Sequence, residues 1–203
     1  MPVSIAKHDN VHVLQGGLND DEKIKDVVSS GPKILVSFLG PILGQNIGTV
    51  GLSTMRNPQG SLTNVFYQPV TDFYRKLFPV LVSANYQRVL ILCTPSYTTH
   101  QDTLTWKWWF GIGLIKFIGG SAFKEFSGMG KFVESWPVNG ENALDWTLFR
   151  VPFLMNGEAK PVVASFKGSG LDGSILSRKS MVQWMLMEIP KMDWVGRAPL
   201  LSH

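Results

Sequence analysis

The chain has 203 residues, 44% hydrophobic and 17% charged, with twenty glycines, twelve prolines and one cysteine. That length suits one domain, residues 1–203, with a sizeable core, and the composition excludes collagen-like, low-complexity and disulfide-stapled classes. The net charge is +4, but Lys and Arg are scattered without a basic stripe or a known recognition module, so nucleic acid is not an expected partner.

Met1 to Asn10 lacks the apolar core of a signal peptide and carries Lys7, His8 and Asp9. Val11, Val13 and Gln15 alternate with His12 and Leu14 before Gly16-Gly17, which predicts a short strand ending in a turn. Asn19 or Asp20 then caps a helix running to about Ser30, and Gly31-Pro32 stops it. The near-continuous apolar run from Lys33 to Leu39 suits a strand covered on both faces, as in a parallel sheet. Residues 42–60 read as loop, and residues 61–86 have helical spacing, divided or kinked by Pro69 and Pro79. The sequence VLILCT from Val89 is a second buried strand, ended by Pro95; Cys93 within it reads as a packed residue rather than a nucleophile.

Trp106 to Ile118 predicts an apolar helix, and Ala122 to Trp136 another, weakened by Gly128 and Gly130. Lys107 and Lys116 interrupt the apolar stretch, which falls short of the ~20 residues of a membrane span, so a cytoplasmic location is expected. Asp145 to Val151 is a third strand, broken by Pro152. Ser177 caps an amphipathic helix to Ile189, and Ala198 to Leu201 forms a last short strand. Strands alternating with helices predict an α/β fold with a mainly parallel sheet. Ligands of such sheets sit outside the carboxyl ends of the strands, which directs attention to residues 16–20, 39–41, 94–97 and 151–153.

In order, those strand ends read QGGLND, SFLGP, CTPSY and LDWTLFRVPFL, followed by the C-terminal SILSRKSMVQWMLMEI and WVGRAPLLS. Over residues 10–202 this series resembles the atypical short-chain dehydrogenase/reductases, the NmrA-like and biliverdin-reductase-B-like group, especially fungal members. The resemblance implies a Rossmann-like sheet with helices on both faces and an NADP(H) cofactor. It places Leu39, Gly40 and Pro41 along the cofactor's ribose and diphosphate. It places Thr94, Pro95 and Ser96 beside the nicotinamide, with Ser96 and Tyr97 as catalytic candidates that orient a carbonyl, and Pro152 and Phe153 packed on the nicotinamide.

Several departures accompany this likeness. The family's first strand and glycine-rich phosphate loop belong before residue 10, so an N-terminally truncated fold is expected here. Gly17 stands where family members often carry an aspartate, and no tyrosine has a lysine four residues later. Gly44, Gly48 and Gly51 follow a strand but do not run into a helical pattern, which favours an ordinary loop over a substitute phosphate cradle.

The residues themselves keep simpler readings open. Thr94-Pro95-Ser96-Tyr97 is also ordinary turn chemistry. His100 and Asp102 read as solvated loop groups, and Lys131 with Glu134 as a surface ion pair. Arg150 at a strand end would meet an anion, or pair with Asp145 or another acid. The aromatic series Trp106, Trp108, Trp109, Phe110 and Phe117 reads first as core packing, then as a dimer face, pocket wall or membrane-surface contact. No His/Cys cluster has metal-ligand spacing.

The expected function is an NAD(P)H-dependent reductase of a small apolar carbonyl-bearing substrate, such as a secondary metabolite. The alternatives are a cofactor-independent isomerase or cyclase working in the vacated cleft, and a non-catalytic NmrA-like sensor. The sheet edge left by the missing strands would be an association site, so a homodimer is expected unless the N-terminal residues cover that edge.

Overall fold

The computed structural model describes residues 11–31, 33–40, 53–56, 62–65 and 68–203. Pro41, the Gly44–Gly51 loop, His8 and the N-terminal residues considered as an edge cover lie outside that set.

Residues 11–17 form no strand; Val13 and Leu14 are exposed. Alternation alone does not hold a strand that has no ladder partner, which corrects the expectation for this stretch. The first helix, α1 (Asp21–Ser30), begins as expected at Asp20, whose carboxylate accepts from the Lys23 N–H at 3.4 Å. It leads to β1 (Ile34–Ser37). The predicted loop and helix over 42–86 need revision at their junction. There β2 (Ser53–Arg56) pairs antiparallel with β3 (Leu62–Val65), in the register Ser53 to Val65 and Arg56 to Leu62. Asn57-Pro58-Gln59-Gly60 between them has turn composition. The helical period is used only from Pro69, which opens α2 (Pro69–Ser83) where its missing N–H costs nothing.

The next strand, β4 (Arg88–Cys93), lies parallel to both β1 and β5 (Asp145–Arg150). Between β4 and β5 runs α3 (Trp106–Glu134), whose two halves meet at a non-helical residue, Gly120. The C-terminal part adds β6 (Phe153–Met155), β7 (Val163–Ser165), β8 (Ile175–Ser177), α4 (Arg178–Lys191) and β9 (Leu200–Ser202). Ser177 caps α4 as expected, accepting from the Ser180 N–H at 3.0 Å.

The main sheet has the order β1-β4-β5-β9-β7 and is parallel except for β7. β4 and β5 are buried on both faces, as the apolar run VLILC of β4 and the largely apolar β5 suggest. Val89, Ile91 and Cys93 of β4, with Trp146 and Leu148 of β5, meet Phe78, Leu81, Met129 and Val133 of α2 and α3. Leu90 and Phe149 point the other way, onto Met181, Trp184 and Met185 of α4. Each such buried side chain contributes roughly 1.5–3 kcal/mol. The parallel sheet with helices on both faces matches the architecture the sequence implied, and it sets the carboxyl ends of β1, β4 and β5 side by side.

Candidate functional site

The chain leaving β4 turns at once. The Tyr97 N–H donates to the Thr94 carbonyl at 3.2 Å, so Thr94-Pro95-Ser96-Tyr97 is a tight turn, and the neighbouring Val151 N–H donates to the Cys93 carbonyl at 3.0 Å. These two strand ends form the floor of a cavity of about 400 Å³, reached by Thr94, Pro95 and Ser96 on one side and Val151, Pro152 and Phe153 on the other. The roof is α3: Trp108 and Gly111 come from its first half, and Ala122, Phe123 and Phe126 from its second. A Cβ on Gly40 would stand 3.0 Å from the Phe126 ring, so the end of β1 abuts the same wall. Five of the sequence-predicted residues therefore line one cavity, Thr94, Pro95, Ser96, Pro152 and Phe153, and Gly40 lies behind its wall at Phe126. Leu39 packs on the apolar core, its N–H donating to Ser37 Oγ at 3.4 Å.

Ser96 and Tyr97 are separated by the turn. Ser96 is buried and lies on the cavity wall. The Tyr97 ring instead sits on α3 at Gly130, where a Cβ would overlap it at 2.3 Å, and its hydroxyl donates to the Glu134 carboxylate. Burial, then the hydrogen bond and charge of Glu134, pushes the phenol above its ordinary range. Glu134 is thus the partner of Tyr97, with His100 Nδ1 at 3.5 Å, and not the surface partner of Lys131. Gly130, read as helix-weakening, is where the Tyr97 ring approaches α3 too closely for a side chain, and Gly128 is where the Gln68 amide lies against the same helix.

Asp102 is the largest surprise behind this turn. Its side chain is only 2% exposed, not solvated. It takes Arg150 Nη1 at 2.5 Å and Nη2 at 2.9 Å, and accepts the N–H groups of Thr99 at 2.9 Å and Lys167 at 2.8 Å. Burial pushes this carboxyl up, but the Arg150 contacts and the two N–H groups outweigh it, and the net shift is downward. Arg150 therefore meets Asp102, not Asp145. Lys167, a residue no motif had marked, sends its buried ammonium to the carbonyls of Pro95 at 2.8 Å and Tyr97 at 3.1 Å and to Thr98 Oγ1 at 2.7 Å. Burial is the main cause that pushes its amine down to about 8, with Arg150 acting in the same direction.

Ser174 also lines the cavity, and the loop before it ties down two further lining residues, Lys107 and Trp108. The Asp172 carboxylate accepts from Trp108 Nε1 and from the Gly168 N–H, and Lys107 Nζ donates to its carbonyl at 2.6 Å. Among the described side chains of the aromatic series, Trp108 is packed here; the Phe117 side chain lies outside the described set. Trp106 is 84% exposed and Trp109 67%, with Phe110 similar, which corrects the core-packing expectation for those three. Cys93 is fully buried, and burial pushes its thiol up to about 12, consistent with an inert strand residue. Among the described residues no group of three His, Cys, Asp or Glu side chains is arranged to hold a metal, and no helix is long and apolar enough to cross a membrane.

For a nicotinamide cofactor, the described residues fit one end of the group. Proline and phenylalanine faces suit the flat ring, and Thr94 Oγ1 is buried on this wall without a hydrogen-bond partner, a free group for a carboxamide or ribose oxygen.

A mostly parallel sheet with helices on both faces and a cavity over adjacent strand ends is a Rossmann-like fold. A short-chain dehydrogenase/reductase from Veillonella parvula, solved in complex with NADP, superposes with a TM-score of 0.64 at 14% identity, over 100% of this chain and 76% of that one. ChuY, an anaerobilin reductase from Escherichia coli, gives 0.59 at 11% identity over 92% and 72% of the two chains. The oxidoreductase ylbE from Lactococcus lactis gives 0.62 at 13% identity over 97% and 74%. At these identities the likeness is one of fold. The sequence matches no protein-family model and no curated protein.

Proposed function

We propose that the protein is a cytoplasmic NAD(P)H-dependent reductase of a small, largely apolar carbonyl compound, such as a secondary metabolite. The observation that carries this reading is a buried serine hydroxyl, Ser96, on the wall of an apolar cavity at the carboxyl ends of β4 and β5. Ser96 would donate a hydrogen bond to the substrate's carbonyl oxygen and steady the negative charge that develops there. Pro95, Pro152, Phe123, Phe126 and Phe153 would exclude water, and Thr94 would orient the cofactor's polar edge. A reduced nicotinamide, when bound there, supplies the hydride. Leu39, Gly40 and Pro41 would follow the ribose and diphosphate. Tyr97 acts in this reading as an anchor of the turn through Glu134, not as the proton donor.

Titration with NADPH and NADH, followed by nicotinamide fluorescence or calorimetry, is the direct test. Binding in the micromolar range is expected, and Ser96→Ala should then lower kcat by about a hundredfold on a reducible ketone with little change in cofactor affinity. Absence of binding at millimolar cofactor would overturn the reductase reading. Product analysis without cofactor would then separate an isomerase or cyclase from a sensor.

The protein is also proposed to pair with a second copy along β1. This strand has the apolar sequence of an internal strand, yet among the described residues it is paired only with β4, and Phe38 beside it is 50% exposed. Sedimentation velocity is expected to show a dimer that Val36→Pro converts to monomer; a wild-type monomer would refute the pairing.

A further inference from the structure

Two buried cations and one buried carboxylate stand directly behind the Pro95–Tyr97 turn. Side-chain exposure is 0% for Arg150 and 2% for both Asp102 and Lys167. Asp102 is saturated by Arg150 and two backbone N–H groups, and Lys167 Nζ lies farther from it, at 3.6 Å. Lys167 spends its three protons on Pro95 O, Tyr97 O and Thr98 Oγ1. The carbonyls it grips belong to the residues on either side of Ser96. Arg150 Nη1 adds a third hold, on the Tyr97 carbonyl at 3.2 Å. Arg150 Nε is buried without a partner.

This arrangement does two things. It holds the backbone of the turn that carries Ser96, through the carbonyls on either side of it. It also leaves the cluster with one positive charge more than negative, one peptide group behind the cavity wall. In a buried environment a unit charge at that range is felt strongly, because little solvent lies between.

We infer that the Arg150–Asp102–Lys167 cluster is the positioning device for Ser96 and gives the cavity a preference for ligands whose polar end is an anion or an oxygen that gains negative charge. The inference rests on the same cavity as the reductase reading but does not require hydride transfer. The substrate class it selects is an apolar body bearing a carboxylate, an enolate-forming carbonyl or a phenolate, with that end directed to the Ser96 turn.

The preference is expected to depend on pH. Lys167, just after β7, is faced by Asp102 of the loop after β4, by Arg150 of β5, by Cys93 of β4, and by Thr98 and Tyr97 of the turn; the Tyr97 hydroxyl lies on Glu134, with His100 beyond it. With Lys167 protonated, below about 8, the cluster carries its extra positive charge; above that, Arg150 and Asp102 balance and the preference fades. Lys107 also lines the cavity, but it is common to the wild type and the variants below.

Two fluorescent probes of nearly one shape test this: the anion 1-anilinonaphthalene-8-sulfonate and the neutral N-phenyl-1-naphthylamine. Gly111→Leu, a position with open space beside its Cα on the cavity roof, should weaken both and so assign them to the cavity. In the wild type the ratio of anion to neutral affinity should fall on the order of tenfold from neutral pH to about pH 9.5. Lys167→Met should give the low ratio at every pH. Lys167→Arg, which stays charged, should keep the high ratio and lose the pH dependence. A wild-type ratio independent of pH would overturn the inference, as would Lys167→Met titrating like the wild type. If Lys167→Met does not fold, the wild-type series and Lys167→Arg decide alone. Cofactor binding without the pH effect sinks this inference and spares the reductase reading; the pH effect without cofactor binding does the reverse.

Discussion

Replacing Asp102 by alanine is expected to cost about 3–5 kcal/mol of stability, because it strands two buried cations and two N–H groups at once. Arg150 and Lys167 would face each other without the carboxylate between them, and the Thr99 and Lys167 amides would lose their acceptor. The measurement is urea unfolding at neutral pH, read as a lowered midpoint at unchanged slope. The pH dependence has a defined sign. The Asp102 carboxyl lies below its ordinary value in the folded protein, so its stabilisation is complete above the ordinary carboxyl range and is lost as pH falls through the folded value. The wild type should therefore lose stability below about pH 4 more steeply than Asp102→Asn, which has no proton to gain. An alanine variant within about 1 kcal/mol of the wild type would show that the cluster does not hold the turn.

Glu188→Ala is expected to cost a similar amount, again about 3–5 kcal/mol, at the opposite end of the sheet. Arg88 opens β4 and Glu188 closes α4; they meet at 2.9 Å with both side chains 3% exposed. Arg88 also reaches Thr147 Oγ1 at 2.7 Å and the Asp145 carbonyl at 3.2 Å, while Glu188 accepts the Trp194 N–H at 2.8 Å. Burial is the largest influence on this carboxyl and raises it above its ordinary value, against the pull of the Trp194 N–H and Arg88. Its folded form thus binds protons more readily than the unfolded chain, and stability should decline as pH rises from the ordinary carboxyl value through the folded one, opposite to Asp102. The double variant Arg88→Met/Glu188→Leu should recover most of the loss, since two apolar side chains replace a pair whose desolvation is expensive. Equal destabilisation of single and double variants by thermal unfolding would refute this account.

The strands that carry the cavity were legible because they are buried on both faces and therefore read as an unbroken apolar run, VLILC, and a largely apolar one, DWTLF. Their ends were legible because Pro95 and Pro152 stop them. The three-residue strands β6, β7 and β8 were not, since three residues show no period and their register comes from partners elsewhere: Phe153 pairs with Ile175, and Val163 with Ser202. The same holds for the cluster behind Ser96. Asp102 lies 48 residues from Arg150 and 65 from Lys167, so only the folded sheet brings them together. A signal existed in part. An arginine at the end of a largely apolar buried strand, as Arg150 is, calls for a buried acid, and Asp102 lies in the loop that follows the neighbouring strand. Lys167 offered no such sign.

The joint in α3 at Gly120, with φ 12° and ψ −81°, bears on how this protein would accommodate ligands of different thickness. Trp108 and Gly111 stand on one side of it, Phe123 and Phe126 on the other, and all four roof the same cavity. The angle between these two helical halves at Gly120 therefore contributes to the breadth of the cavity. Its floor is fixed to the sheet. Side-chain changes along either half would reshape the ceiling locally, whereas a turn of the joint would raise or lower the whole of it.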